Sequence, residues 1–348
     1  MNRTATKLAV FLATLAPVAA FAAPPANALV EREGPDSLKI NWSSPDPVDV
    51  FVADGTNVPL ATATLVSARD GDGHASLAHA GLSRRYFTLR NVRTGEVTHV
   101  TERLVPLETG SNFRDIGGYP AANGKHVRWG MVYRSGGTPL LNGADVERIG
   151  KLRLANMVDL RSDEERVLAP SRIDGVTYTA FGYSFAGLGV SSSMETTYRT
   201  LPTMLAPQLK QIFAKLLRAE QPLVYNCSAG QDRTGFVTAM ILSALGTPRD
   251  TITTDYHLST KFRRPENEMP RVDPALYPGN AAVAVFARYQ DNPAARQPQP
   301  LKTAEGKAYL DFAFAEIEAK WGSTGNYLAR EIGLTPAMIS SLRKAYTE

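Results

Sequence analysis

Between residues 37 and 105 the chain alternates apolar and polar positions in short bursts. Leu38, Ile40 and Trp42 fall on one face at period two, and similar bursts recur at 49–52, 75–78, 85–89 and 97–100, separated by Gly, Asp, Asn and Pro. Such spacing predicts several short strands packed as a small antiparallel β-sandwich. Beyond residue 105 the period changes. Apolar runs at 132–134, 157–160, 176–181 and 222–225 read as strands. Between the last two, Met204, Leu205, Leu209, Ile212, Phe213, Leu216 and Leu217 recur at helical spacing and predict a helix over 203–219. Further helices are predicted at 143–151, 234–245, 250–261, 302–320, 326–332 and 336–346. Strands alternating with helices predict an α/β domain with helices on both faces of its sheet. The Pro-rich stretch 263–300, interrupted at 281–289, is predicted to be a surface excursion.

The chain therefore divides into a β-sandwich module at 23–105, which in pattern resembles a fibronectin type III-like module, and an α/β domain at 106–348. Residues 1–22 belong to neither. Arg3 and Lys7 precede an apolar run that ends in Ala20-Phe21-Ala22, the arrangement of a secretory signal peptide cut after Ala22. The leader resembles that of a Gram-negative bacterium, so a periplasmic or secreted location is expected. The run is short for a membrane span and no later stretch approaches eighteen apolar residues, so stable membrane insertion is not expected. Charged residues at 21% and hydrophobic residues at 43% are ordinary globular values. The formal charge is +4, and Arg3 and Lys7 leave with the leader, so nucleic acid is not an expected partner. His74, His79 and His99 lack metal-ligand spacing and read as surface or edge-strand histidines. Neither metal nor cofactor is expected.

The sequence holds one cysteine, Cys227. A lone cysteine in an exported chain is by default a small buried hydrophobe, but its neighbours point elsewhere. Asn226-Cys227-Ser228-Ala229-Gly230-Gln231-Asp232-Arg233-Thr234-Gly235 lies between an apolar strand and an apolar helix. A strand-to-helix turn leaves the first N–H groups of the helix unpaired, and several such groups curled round a point form an anion cradle. Gly230 permits the tight turn. A thiol at the start of the cradle is favoured as thiolate and becomes a nucleophile. Arg233 can hold two phosphoryl oxygens with its planar fork, and Ser228, Ala229, Gly230, Gln231 and Thr234 complete the substrate-binding loop. The Thr234 hydroxyl can hydrogen-bond the departing thiolate. For Asp232 two roles stand open: proton donor and then base towards water, or a brace for Arg233 or a neighbouring N–H.

This loop resembles the signature of the cysteine-dependent protein tyrosine phosphatases. It is closest to a bacterial branch reading His-Cys-x-x-Gly-Lys-Asp-Arg-Thr-Gly, whose members act on phosphotyrosine and sometimes on phosphoinositides. Asn112 to Gly118, Tyr133-Arg134-Ser135, Asp159-Leu160-Arg161-Ser162, Asp255-Tyr256 and the closing run from Trp321 to Leu334 are similar to other blocks of that branch. The resemblance implies a cysteine-phosphatase-type sheet flanked by helices, with Cys227 as nucleophile, Arg233 as phosphate clamp and Asp232 as acid/base candidate. Arg114, Asp115, Arg134, Asp159 and Arg161 are expected to brace one another or the loop, and Tyr198, Asp255 and Tyr256 to pack behind it.

Three positions depart from the branch. Asn226 replaces the usual His, Gln231 replaces Lys, and residues 181–190 contain no Asp or Glu where many relatives carry a separate general acid. Residues 182–193 read either as a lid or as a plain loop. The expected activity is metal-independent hydrolysis of phosphate monoesters, phosphotyrosine in proteins first, through a phosphocysteine intermediate. Its partners are a phosphorylated protein or a small phosphate ester. The alternatives are a phosphoinositide or inositol phosphate phosphatase, or a weakly catalytic phosphate-binding adaptor. Papain-like chemistry needs a histidine partner for Cys227, and the nearest in helical sequence, His257, lies too far along the chain.

Overall fold

The computed structural model describes residues 24–56, 58–78, 81, 83–184 and 193–348. The predicted leader and most of the predicted lid lie outside them. The first unit has seven strands, β1 (Ala26–Arg32), β2 (Leu38–Ser43), β3 (Val48–Ala53), β4 (Thr64–Asp70), β5 (His74–Leu77), β6 (Tyr86–Asn91) and β7 (Val97–Thr101), of which β2, β3, β5, β6 and β7 are the period-two bursts. They pair antiparallel in two sheets, ordered β1-β2-β5 and β4-β3-β6-β7. Leu38, Ile40 and Trp42 of one sheet meet Val48, Val50, Phe87 and Leu89 of the other in a single core, as the alternation requires. β1 and β4 were not legible as bursts. β4 is half-exposed along its length, so its apolar positions do not alternate.

The second unit has a five-stranded sheet ordered β11-β10-β12-β9-β8, from β8 (Arg114–Asp115), β9 (Val132–Ser135), β10 (Asn156–Asp159), β11 (Thr177–Ala180) and β12 (Leu223–Asn226). All its pairs are parallel except β8 with β9. Neighbouring residues point to opposite faces. Val132, Val158, Leu223 and Tyr225 enter one core, while Tyr133, Met157 and Val224 enter another. Helix α1 (Gly143–Gly150) covers the second face through Ile149. The first face is covered by α3 (Met194–Met204), α4 (Ala206–Leu217), α5 (Asp232–Leu245), α6 (Arg249–Phe262), α8 (Leu310–Trp321), α9 (Thr324–Arg330) and α10 (Pro336–Tyr346). Two short helices, α2 (Asp163–Leu168) and α7 (Val283–Asp291), stand at the end of the sheet that carries the site. Among the described residues no helix is long and apolar enough to cross a membrane.

Two helical boundaries differ from expectation. The helix predicted over 203–219 is two, because Leu205 leaves helical geometry and Pro207 begins a new first turn. The helix predicted from 302 starts at Leu310, since Lys302 to Ala308 close a small bridged turn instead.

The two units share buried surface. Trp129 of the α/β unit enters the sandwich core and donates its indole N–H to the His99 carbonyl at 3.0 Å. Arg84 of the sandwich reaches Asp115 at 2.8 Å and the Tyr133 hydroxyl at 2.8 Å, all three buried. The connecting residues Arg103 to Val105 run antiparallel to Phe113 to Asp115 and hydrogen-bond with them.

Candidate active site

β12 lies between β10 and β9, parallel to both, and its carboxyl end delivers Asn226 and Cys227 to the sheet edge where parallel sheets bind ligands. Each carbonyl from Asn226 to Gln231 is drawn into a hydrogen bond within the domain. Asn226 O accepts from Leu160 N at 2.8 Å, Ser228 O from Gly137 N at 2.8 Å, and Gln231 O from Gly235 N at 2.9 Å. Cys227 O accepts from Asn226 Nδ2 at 3.3 Å. Asn112 Nδ2 donates to Ala229 O at 3.1 Å and Gly230 O at 2.8 Å, and Arg134 Nη2 also donates to Gly230 O at 2.8 Å. The N–H groups of Ser228 to Arg233 find no protein acceptor among the described residues, which leaves them for an anion. Gly230 sits at φ +66, and a Cβ there would lie 2.5 Å from the Ser135 carbonyl and from Gly136 N. Only glycine fits that close approach.

Arg233 follows at the start of α5. Its fork pairs with both oxygens of Glu165 at 2.6 and 2.7 Å, and Nη1 also meets the Tyr183 hydroxyl at 2.7 Å. Glu165 is the capping-box residue of α2, accepting from Ser162 N at 2.9 Å, and it takes a further bond from Ser228 Oγ at 2.7 Å. Burial would raise the Glu165 carboxyl, but the Arg233 charge and these hydrogen bonds outweigh it and hold the group down to about 2. One anion thus fixes both the clamp and the near side of the loop.

Behind the loop, Arg114 and Arg134 both bind buried Asp255, at 3.1 and 2.6 Å, and Tyr119 donates to the same carboxylate at 2.9 Å. Burial, with the like charge of Arg134 added, pushes the Arg114 guanidinium down to about 10 although Asp255 acts in the opposite sense. Of the residues expected to brace one another or the loop, Arg134 holds the loop at Gly230 O, whereas Arg114 and Asp115 do not pair with one another, because Asp115 faces the sandwich and Arg114 faces α6. Asp159 and Arg161 do pair, at 2.7 Å. Asp232 is held on Oδ1 by Tyr198 at 2.5 Å, and of the roles left open for it the brace on Arg233 does not form. Thr234 Oγ1 and Asn226 Oδ1 are buried without hydrogen-bond partners among the described residues.

A cavity of about 620 Å³ opens over the loop. Cys227, only 2% exposed, borders it together with Ser228, Ala229, Gln231, Asp232 and Arg233. Apart from Leu140 and Glu165, the rest of the wall comes from the Pro-rich excursion, which therefore shapes the site. Met269, Val285 and Phe286 supply an apolar side, joined by Leu140, and Arg263, Arg271 and Arg296 a basic one. Arg263 donates to Gln231 Oε1 at 2.6 Å, so a cation stands where the departure from Lys had removed one, though it arrives paired with Glu268 at 2.7 Å.

Sequence reasoning missed Glu165, Tyr183 and Arg263. Ser162-x-x-Glu165 was readable as a capping box, which foretells a helix start but not a partner for Arg233.

The profile of the tyrosine phosphatase family matches residues 105–348. A Cupriavidus necator protein carrying the name putative tyrosine-protein phosphatase H16_A0669 is 32% identical over 245 residues, covering 64% of this chain and 81% of that protein. The triple specificity protein phosphatase PtpB of Mycobacterium tuberculosis is 28% identical over 277 residues, covering 67% of this chain and 95% of that protein. A solved Fn3-like protein from Clostridium thermocellum aligns with 23% of this chain and 84% of its own at 14% identity. Its TM-score of 0.18 is too slight to argue from.

Proposed function

The chain belongs to the tyrosine phosphatase family and is a protein-tyrosine phosphatase, and from that premise we propose that it hydrolyses phosphotyrosine in proteins through a phosphocysteine intermediate. The observation that carries the reading is the loop itself, with six consecutive carbonyls engaged within the domain and its N–H groups unclaimed between Cys227 and a pre-aligned Arg233. Cys227 Sγ, as thiolate, attacks phosphorus. The S–P bond forms as the ester P–O bond breaks, and Asp232 gives its proton to the departing oxygen. Charge on the three remaining oxygens is met by the loop N–H groups and the Arg233 fork. In the second step Asp232 takes a proton from water as its oxygen bonds phosphorus, and the S–P bond breaks to return the thiolate. No residue at 181–184 offers an alternative acid, since Tyr183 is committed to Arg233 and the Leu160 carbonyl.

The apolar wall of Met269, Val285, Phe286 and Leu140 suits an aromatic ring beside the phosphate. Four arginines on the cavity wall are matched by four carboxylates, Glu165, Asp232, Glu266 and Glu268, a balance that favours phosphotyrosine over a polyanionic inositol headgroup. The signal-peptide pattern of residues 1–22 supports a periplasmic or secreted location as part of this reading. Cys227→Ser is expected to abolish turnover of phosphotyrosyl peptide while retaining vanadate binding and the melting temperature of the native chain. Undiminished turnover in that variant refutes the mechanism. Absence of any product burst from the native enzyme would instead support the phosphate-binding adaptor.

A further inference from the structure

Two buried tyrosine hydroxyls from α3 and α6 line up behind Asp232. Tyr198 Oη of α3 lies 2.5 Å from Asp232 Oδ1, and Tyr256 Oη of α6 lies 2.5 Å from Tyr198 Oη. Tyr198 has one proton, and the carboxylate takes it, so Tyr256 is the donor to Tyr198. The result is a one-way chain from Tyr256 through Tyr198 to Asp232. Both rings are essentially buried, and they are held by packing that does not need the hydroxyls. Tyr198 stacks on Tyr309 at 5.8 Å between centroids and meets Tyr256 edge-on at 6.1 Å. Burial raises both phenols far above their ordinary range, so they remain neutral donors throughout the working pH.

Asp232 Oδ1 is thereby occupied, with Gln231 Nε2 a further 3.5 Å neighbour, while Oδ2 has no partner among the described residues and Asp232 borders the cavity. We propose that Tyr198, backed by Tyr256, is a positioning residue that reserves Oδ1 and makes Asp232 Oδ2 the atom that exchanges the proton with the leaving group and then with water. The proposal rests on Asp232 being the general acid, and the test separates the two.

The experiment measures kcat/KM for phenyl phosphate, whose leaving group needs a proton, and for 2,4-dinitrophenyl phosphate, whose leaving group does not. The native enzyme is compared with Asp232→Asn, Tyr198→Phe and Tyr256→Phe. Asp232→Asn is expected to lose about 100-fold on phenyl phosphate and less than about 5-fold on the dinitrophenyl ester. Tyr198→Phe is expected to lose about 10-fold on the first and almost nothing on the second, with Tyr256→Phe following the same pattern at about 3-fold. Vanadate affinity is expected to stay native in both Phe variants. Equal losses on the two esters, no loss on either, or weakened vanadate binding in Tyr198→Phe overturns the positioning role. If Asp232→Asn itself loses equally on both esters, the acid assignment falls first. If only the tyrosine variants lack the contrast, the assignment stands and the relay alone is refuted.

Discussion

Replacing Glu165 by Gln keeps the shape of the side chain that holds Arg233 and removes its charge. Glu165 is 1% exposed, binds both terminal nitrogens of Arg233, and accepts from Ser162 N and Ser228 Oγ. Its carboxyl is held down to about 2. An unfolded glutamate ionises near 4.3, and each unit of difference corresponds to ~1.4 kcal/mol, so the ionised form contributes about 3 kcal/mol to stability. Because the folded value lies below the unfolded one, that stabilisation is complete above about pH 5 and is lost as the pH falls through 4 toward 2. Glu165→Gln mimics the protonated state, so urea unfolding at pH 7, followed by tryptophan fluorescence, is expected to show a deficit of about 3 kcal/mol that falls to about half near pH 3 and toward zero only below about pH 2. Activity is expected to fall about 10- to 100-fold, since a fork displaced by an ångström no longer meets the phosphoryl oxygens. A deficit of the same size at both pH values, or one below about 1 kcal/mol at pH 7, would refute the claim that charge holds the clamp.

Two other perturbations test the frame around the site. Gly230→Ala forces a Cβ to within 2.5 Å of the Ser135–Gly136 peptide at φ +66, and at least a ~100-fold loss of kcat/KM is expected; near-native turnover of p-nitrophenyl phosphate would mean that the loop tolerates the shift. Arg84→Met strands the buried Asp115 carboxylate, a loss of about 3–5 kcal/mol by urea unfolding. A change under about 1 kcal/mol would show that the Gly117 and Gly130 N–H groups suffice for Asp115.

The parts of the site that were legible in the sequence are contiguous. Cys227, Gly230 and Arg233 lie in one strand–loop–helix segment whose local geometry dictates their roles. Glu165, Tyr183 and Arg263 were not legible because they reach the loop from the segments after β10, β11 and α6, which only the tertiary fold brings together. Asn112 and Arg114 were marked as a block, yet their division of labour, one holding loop carbonyls and the other Asp255, depends on where β8 begins. In the fold, period-two text found the strands whose one face is fully buried. It missed β4, where exposure on both faces removes the alternation, and β1, where an exposed Leu29 stands beside the buried Val30 and blurs the period. The join between α3 and α4 was carried by Pro207, a signal outweighed by the apolar period running through it.

Trp129 lodged in the sandwich interior sets a limit on how this enzyme can be dissected. A fragment beginning at residue 106 would carry an uncovered indole and an Asp115 stripped of its Arg84 partner, and any loss of turnover in it would report the amputation rather than the chemistry. Equally, a ligand gripped by the outer face of the sandwich would stand at a fixed bearing from the cavity mouth, since the buried junction leaves no swivel between them.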